Sequence, residues 1–234
     1  MTRLASHRYV HFAALIVTLI TALVIGPVTT VRAQGSLPNT FDKDAHYLFY
    51  MHSGSIEKQG LNTVSRKYGK AYELGYIFSA FRKRSFLVIG VARTEVVRPG
   101  PYSQGVAPMV NSLMAAGVPP GNITVAGHSK GALMSWLVSS FVGNSTVNYV
   151  ITASCPPRGA TFRRSFNRFL RRGGANVSGR ILSMYDSADN IADSCSEVFS
   201  AAANVTSKEI VFETGTGHGL FYTPRELWIN GVNS

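Results

Sequence analysis

Short apolar runs alternate along the chain with segments whose apolar residues recur at helical spacing. Six runs have the length and the β-branched or aromatic content of buried strands: 46–52, 85–92, 122–127, 147–154, 180–186 and 208–214. A strand that is apolar at consecutive positions is buried on both faces, as in a parallel sheet that helices cover. The pattern therefore predicts a sheet of about six mostly parallel strands.

The segments between these runs carry the spacing of amphipathic helices. Helices are predicted over 70–84, 103–118, 130–143, 193–203 and 224–231, whereas 53–60 is interpreted as a loop. Strands and helices that alternate at this spacing form right-handed βαβ units with helices on both faces of the sheet. The predicted fold class is α/β, in one domain.

The first 33 residues have a different pattern. Two arginines precede the apolar run 12–25, a Gly-Pro pair breaks it, and a small-residue cleavage site follows at 31–33. The run is short for a bilayer span, so a secretory signal peptide is predicted over 1–33, ahead of an α/β domain over 34–234. The mature chain would then be secreted or periplasmic. An uncleaved signal that anchors it to a membrane is the alternative.

Composition and charge narrow the class of partner. The chain of 234 residues is 45% hydrophobic and 15% charged, enough for one core and unlike a disordered or fibrous protein. Its net charge is +11; without 1–33 it is +8, because that segment holds three arginines and no acid. A net positive charge favours binding to anionic lipid or polymer surfaces. Nucleic acid is not expected, since no aromatic and basic stripe or nucleic-acid-binding motif is present.

The sequence contains two cysteines, Cys155 and Cys195. A lone pair of cysteines in an exported protein usually forms a disulfide, which is the prediction here; two buried free thiols are the alternative.

The segment Gly-His-Ser-Lys-Gly at 127–131 joins a predicted strand to a predicted helix. A serine between glycines at such a junction is the pattern of a nucleophile elbow, in which a tight turn lifts the serine hydroxyl above the sheet. The flanking positions must be small because the turn brings strand and helix close together. Ser129 is therefore the predicted nucleophile, and a tight turn with an idle serine is the alternative.

A serine hydroxyl needs a base, and the base needs an acid that orients it. His218 follows the last predicted strand and is the histidine in the expected order after Ser129 and an acid. His46 and His52 bracket the first strand, and His128 is the neighbour of the nucleophile. His218 is the predicted base.

Three aspartates follow the fifth strand and are candidates for the acid. Asp189 is preferred because a carboxylate within the loop can turn toward the Nδ1 atom of His218. Asp186, at the end of the strand, is the alternative acid. Asp193 is expected to cap the next helix.

An oxyanion hole needs two N–H groups. One is expected from Lys130, the residue after the nucleophile, and the other from the loop after the first strand. Gly54 is the preferred donor in that loop, with Ser53 the next choice.

Four segments together resemble the α/β-hydrolase superfamily, over nearly the whole chain after residue 33: YMHSG, VAGHSKGAL, YDSADNI and GTGHG. The resemblance implies a minimal form of that fold and acyl transfer to water without a metal or an organic cofactor. It identifies the chain as similar to small exported bacterial serine hydrolases, in the style of cutinases and small esterases, and does not imply a substrate. The predicted function is cleavage of a carboxylic ester by Ser129, Asp189 and His218 through an acyl-enzyme intermediate. An acyltransferase with the same triad, or an idle hydrolase-fold protein that binds an anionic polymer or membrane surface, is the alternative.

The segment 155–179 lies where caps over the active site grow in this superfamily. Apolar residues at helical spacing fall on one face of its predicted helix, and arginines occupy the rest: Phe162, Phe166, Phe169 and Leu170, against Arg163, Arg164, Arg168, Arg171 and Arg172. The hypothesis is a small basic cap that guides an anionic or membrane-borne ester into the cleft. An ordinary amphipathic surface helix is the alternative.

Overall fold

The computed structural model describes residues 37–62 and 64–233. The predicted signal peptide at 1–33 lies outside the described residues. Within them, no helix combines the length and the hydrophobicity that a bilayer span requires.

The described residues form eight strands: β1 His46–Met51, β2 Val64–Ser65, β3 Lys70–Ala71, β4 Phe86–Ile89, β5 Ile123–His128, β6 Asn148–Thr152, β7 Ser178–Asp186 and β8 Asn204–Phe212. Six of them form one sheet in the order β4–β1–β5–β6–β7–β8, and every neighbouring pair is parallel. Strands β2 and β3 form a separate antiparallel pair. The predicted α/β class is confirmed.

Seven α-helices accompany the strands over the described residues: α1 Gly54–Gln59, α2 Leu74–Arg82, α3 Pro99–Ala115, α4 Lys130–Val142, α5 Arg163–Gly173, α6 Ser196–Ala201 and α7 Glu226–Ile229. Successive residues of β1 contribute to two buried apolar clusters, one on each face of the sheet. One cluster surrounds Trp136 of α4 and the other surrounds Trp228 of α7. Burial on both faces explains why β1 is apolar along its length.

Several predicted boundaries differ from the structure. Residues 53–60, interpreted as a loop, contain α1, whose first turn is capped by the Ser53 hydroxyl accepting from the Ser55 N–H. The serines and glycine of this segment favour a turn as much as a helix start, so the sequence alone did not separate the two. The start of the predicted helix 70–84 is instead β3, which pairs with β2.

The region before β8 also differs. Helix α6 begins at Ser196 with Cys195 as its N-cap, so the expected cap at Asp193 is wrong. The backbone of Asp193 instead pairs with that of Cys155. Strand β8 begins at Asn204, ahead of the predicted start at 208, because its polar first residues pair with β7 along the edge of the sheet.

The nucleophile elbow depends on very close packing between α4 and two strands. A Cβ atom on Gly131 would lie 1.9 Å from the Met51 carbonyl oxygen, at the end of β1. A Cβ atom on Gly127 would lie 2.3 Å from the Gly131 carbonyl oxygen. Backbone atoms occupy both positions, so only glycine fits at either.

Cys155 and Cys195 form a disulfide with a sequence separation of 40 residues. The bond joins the segment after β6, from which the predicted cap begins, to the N-terminus of α6. It therefore closes a loop that contains α5 and β7.

Gly131→Ala is expected to destabilise the fold by about 3 kcal/mol or more, because the new methyl group overlaps a backbone carbonyl that cannot move aside. Gly105→Ala is the matched control, since Gly105 lies inside α3 with open space around its Cα. It should gain about 0.5–1 kcal/mol from helix propensity. Urea unfolding of both variants tests the contact; equal stabilities would contradict it.

Reduction of the disulfide should lower the free energy of unfolding by about 4 kcal/mol, because the unfolded chain regains the freedom of a 40-residue loop. The paired variant Cys155→Ser/Cys195→Ser should match the reduced protein in a denaturant titration. A reduced protein as stable as the oxidised one would show that the bond does not constrain the unfolded chain.

Candidate active site

Ser129 lies between β5 and α4 in a strained backbone conformation, with φ 57° and ψ −114°. Its N–H donates to the Thr152 carbonyl at 2.9 Å, which ties the turn to the end of β6. Strain of this kind costs about 1–3 kcal/mol and persists only where the surrounding structure enforces it. Here the close approach of Gly131 to β1 and of Gly127 to α4 enforces it, and Ser129 lines a cavity at the carboxyl end of the sheet.

His218 lies in the 3-10 turn Gly217–Tyr222, which follows β8. Its Nδ1 atom is 2.7 Å from the Oδ2 atom of Asp189, and both side chains are buried. A carboxylate at Nδ1 favours the tautomer whose proton is on Nδ1. The Nε2 atom, on the far side of the ring, is then left as the acceptor, and His218 lines the same cavity as Ser129.

The loop after β7 orients the carboxylate of Asp189. Its Oδ1 atom accepts from the backbone N–H groups of Ile191 and Ala192 at 3.0 and 3.3 Å. The other oxygen remains for His218. The structure thus brings the two sequence-predicted residues together, which no pattern in the sequence could establish.

Asp186, the alternative acid, has a different set of partners. Its carboxylate accepts from the backbone N–H groups of Ala188, Thr214 and Gly217 and from the Thr214 hydroxyl. Burial raises the pKa of Asp186, but these hydrogen bonds outweigh burial and leave the pKa below its usual value. Asp186 therefore connects the loop after β7 to the segment that carries His218. Its hydrogen bonds are to these groups and not to the imidazole of His218.

The ring of His218 packs against two other aromatic side chains. The ring centroid of His128 is 4.7 Å away and that of Tyr68, in the β2–β3 turn, is 6.1 Å away. His128 is fully buried and also stacks on Tyr72. Burial, with a smaller effect of His218, holds the pKa of His128 well below its usual range, so a neutral ring packs against His218. These contacts restrict the rotation of the His218 ring.

The predicted oxyanion donors, Gly54 and Lys130, are the first residues of α1 and α4. N–H groups in the first turn of a helix have no partner within the helix. A Cβ atom on Gly54 would lie 3.2 Å from the Lys130 side chain, so the two helix starts are adjacent. Both residues line the cavity beside Ser129.

His52 sets the orientation of the peptide that contains the Gly54 N–H. The His52 Nε2 atom accepts from the Arg93 N–H at 2.7 Å, which leaves the proton on Nδ1 to donate to the Ser53 carbonyl at 2.6 Å. In a trans peptide the carbonyl and the following N–H point in opposite directions. Because the Ser53 carbonyl faces the buried His52, the Gly54 N–H faces away from it.

A buried carboxylate, Glu57, holds this loop to the nucleophile elbow. It accepts from the Arg93 Nε atom at 2.8 Å and from the Lys130 ammonium. Lys130 also donates to the Val97 carbonyl at 2.6 Å. Burial raises the pKa of Glu57, but the bonds from Lys130 and Arg93 outweigh it and leave the pKa lowered. One carboxylate thus connects α1, the segment after β4 and the start of α4.

The cavity has a volume of about 390 Å³ and an apolar side. Residues of α4, of α5 and the segment before it, and of the loop after β7 contribute apolar lining: Leu133, Pro156, Phe162, Phe166 and Ile191. An apolar cavity that contains a few polar groups is the usual form of a small-molecule site.

Helix α5, the predicted cap, lines the cavity with its N-terminal end. Phe162 and Phe166 contribute, together with Ser165. Phe169, which the pattern groups with them, instead packs against Trp136, with ring centroids 6.3 Å apart. The apolar face of α5 is therefore shared between the cavity and the core.

The arginines of α5 lie outside the cavity, since the lining contains no arginine among the described residues. Arg163 pairs with Glu197 of α6 at 2.6 Å. The others are exposed: Arg164, Arg168, Arg171 and Arg172. Their charge acts at the outer surface beside the cavity.

No protein-family model matches the chain, and no curated protein matches it in sequence. Several solved structures match its fold. A fungal esterase from Rhizomucor miehei is 13% identical, with 83% of this chain and 75% of that chain covered and a TM-score of 0.54. A lipase-esterase-related protein from Clostridium acetobutylicum is also 13% identical, covering 82% and 95%, with a TM-score of 0.53.

Est1E from Butyrivibrio proteoclasticus, solved with ferulic acid bound, is 10% identical and covers 84% of this chain and 90% of its own, with a TM-score of 0.50. The chain has the α/β-hydrolase fold, so the resemblance in its four motifs is confirmed at the level of the fold.

Sequence reasoning missed the residues that support the site. His52 was interpreted only as the end of a strand, Glu57 lies in the segment interpreted as a loop, and Arg93 lies where no strand or helix was predicted. The one signal in the sequence was the Glu57 carboxylate, three residues after the predicted oxyanion donor Gly54. Its partners, Arg93 and Lys130, are 36 and 73 residues away in the chain. Tyr68 lies in the turn between β2 and β3, and the hydrophobic pattern of the sequence did not predict this strand pair.

The stability of the fold should fall as the pH drops from 6.5 to 4, because of His52. Burial, helped by the charge of Arg93, lowers the pKa of His52 from 6.5 to about 4. Below pH 6.5 the unfolded chain gains a proton that the folded chain takes up only near pH 4, so unfolding becomes easier. The free energy of unfolding falls by about 3 kcal/mol over this pH range, and the buried, neutral His128 lowers it further in the same way.

His52→Asn keeps a donor for the Ser53 carbonyl but cannot titrate. Its free energy of unfolding, measured by urea titration at several pH values, should therefore change less with pH than that of the wild type. An unchanged pH slope would contradict the buried neutral state of His52.

Proposed function

We propose that this protein is an exported serine hydrolase that cleaves carboxylic esters. The observation that supports it most is the bond between His218 Nδ1 and Asp189 Oδ2 beside the same cavity as the strained Ser129. The esterases among proteins of similar fold are consistent with this chemistry. The disulfide is consistent with an oxidising compartment outside the cytoplasm.

In the proposed reaction, the Ser129 hydroxyl attacks the ester carbonyl carbon while its proton passes to the Nε2 atom of His218. The carbonyl oxygen becomes an oxyanion that accepts hydrogen bonds from the N–H groups of Gly54 and Lys130. When the intermediate collapses, the carbon–oxygen bond to the leaving alcohol breaks and that oxygen takes the proton from His218. An acyl group then remains on Ser129.

Water completes the cycle by the same steps. His218 removes a proton from the water as it attacks the acyl carbon, and returns this proton to the Ser129 oxygen as the acid leaves. Asp189 keeps its negative charge throughout and stabilises the imidazolium form of His218. An acyltransferase would differ only in using an alcohol or an amine in place of water.

The buried cluster around Glu57 supports the oxyanion hole in this scheme. Arg93 and Lys130 carry two positive charges against one negative charge on Glu57, and His52 is neutral. The cluster therefore leaves a net positive charge near the two N–H groups. A positive potential favours an oxyanion over the neutral carbonyl of the ester.

Labelling with a fluorophosphonate probe tests the proposal and separates it from an idle binding protein. The wild type should be labelled at Ser129, as mass spectrometry of its peptides would show, and Ser129→Ala should not react. Hydrolysis of p-nitrophenyl esters of increasing acyl length, with product analysis in the presence of added alcohols, then separates hydrolase from acyltransferase. An unlabelled wild type would overturn the proposal.

The two aspartates should differ in what they control. Asp189→Asn should lower kcat by about 10³- to 10⁴-fold, because the amide favours the wrong tautomer of His218. Asp186→Asn is the matched variant; it removes charge from an acceptor of four hydrogen bonds and should lower stability by about 1–3 kcal/mol. Ester kinetics and urea unfolding of both variants give the comparison. Nearly normal turnover in Asp189→Asn would rule it out as the acid.

A further inference from the structure

The charged groups around the cavity are all of one sign. Among the described residues that line it, the charged side chains are those of Lys58 and Lys130. Asp189 is behind the imidazole of His218, and Glu57 faces the buried cluster. A ligand in the cavity therefore meets positive charge and no facing carboxylate.

The two lysines differ in what they can offer a ligand. The Lys130 ammonium donates to Glu57 and to the Val97 carbonyl, so two of its three N–H donors are already used. It contributes positive potential, but its position is fixed by the protein. Lys130 therefore serves to connect the start of α4 to Glu57.

Lys58 is free to bind a ligand. It lies in the last turn of α1, one residue after Glu57, and it is exposed. Neighbouring residues of a helix point in directions about 100° apart, so Lys58 faces the cavity while Glu57 faces the interior. Within the described part of the chain, the Lys58 ammonium has no ion pair. Its flexible four-carbon stem lets the charge follow a ligand.

Much of the remaining cavity lining is apolar. Leu133 of α4, Ile191 of the loop after β7, Phe166 of α5 and Phe162 at its N-cap present aliphatic and aromatic surface. Phe162 is 54% exposed, so it extends this surface to the solvent edge. An apolar group of a ligand gains free energy by covering such surface.

We propose that the substrate is an ester with an anionic group on one side of the ester bond and an apolar group on the other. The anionic group pairs with Lys58, and the apolar group packs against Leu133, Phe162 and Phe166. This inference rests on the proposed ester hydrolysis and names its substrate class. Lys58 is then a residue that determines specificity, separate from the groups that make and break bonds.

Two pairs of synthetic esters, matched in size, test this assignment. The first pair is 4-carboxyphenyl hexanoate and its primary amide, which place the charge in the leaving group. The second pair is the monophenyl ester of adipic acid and its terminal amide, which place the charge in the acyl group. The measured quantity is the ratio of kcat/KM for the anionic ester to kcat/KM for the neutral amide.

In at least one pair the wild type should favour the anionic ester, and Lys58→Gln should lower the ratio by about threefold to tenfold. The loss should be in KM, because Lys58 binds a group remote from the reacting carbon. Lys58→Arg should keep most of the preference, and 0.5 M salt should reduce it in the wild type. The matched control is Lys83→Gln, which removes the same charge at the exposed end of α2 and should leave the ratio unchanged.

Binding to the Ser129→Ala variant gives a readout that does not need turnover. Calorimetry should show tighter binding of the anionic member, and adding Lys58→Gln should remove that difference. If no ester is hydrolysed, the proposed function fails while this binding comparison still tests Lys58. Suppose that esters are hydrolysed, but that in both pairs Lys58→Gln leaves unchanged the kcat/KM ratio and the difference in binding between the anionic and the neutral member. The substrate assignment is then overturned, and the proposal of ester hydrolysis stands.

Discussion

The contact between Gly131 and the Met51 carbonyl is the constraint on which the rest of the site depends. Helix α4 can begin next to the end of β1 only because no side chain separates the two backbones. This contact puts Ser129 in its strained conformation and places the starts of α1 and α4 side by side. The same approach places the first residues of both helices beside the cavity that Ser129 lines. A larger residue at 131 would therefore disturb the proposed nucleophile, Ser129, and the proposed oxyanion site together.

Buried polar groups make that arrangement rigid. Glu57 connects the loop after β1 to the elbow through Lys130, and His52 turns the Ser53–Gly54 peptide. Each of these groups would be costly to bury alone, because an unpaired charge or donor in the interior loses its hydration. Pairing within the cluster offsets most of that cost. Among the described residues, one nitrogen of Arg93, Nη1, is left without a hydrogen-bond partner. Asp186 likewise holds the loop after β7 to the segment that carries His218.

The sequence was sufficient for the fold class and for selecting candidate residues at the ends of strands, and insufficient for the residues that support them. Continuous apolar runs and helical spacing predict the order of elements because burial imposes those patterns on the chain. The serine between glycines is informative because sterics leave few alternatives at that turn. The choice between Asp189 and Asp186 depends on which carboxylate the loop turns toward His218, and that is a property of backbone hydrogen bonds formed by distant residues. Glu57 and Arg93 were missed for the same reason: their partners lie far away in the chain, and a single charged residue in a loop has no periodicity.

The crystal structure of the protein after reaction with a phosphonate ester tests the central claim most directly. The account predicts phosphorus bonded to the Ser129 oxygen, with one phosphonyl oxygen about 2.7–3.1 Å from the N–H groups of both Gly54 and Lys130. The Nε2 atom of His218 should face the Ser129 oxygen. An adduct on another residue, or a phosphonyl oxygen that points away from both N–H groups, would contradict the account.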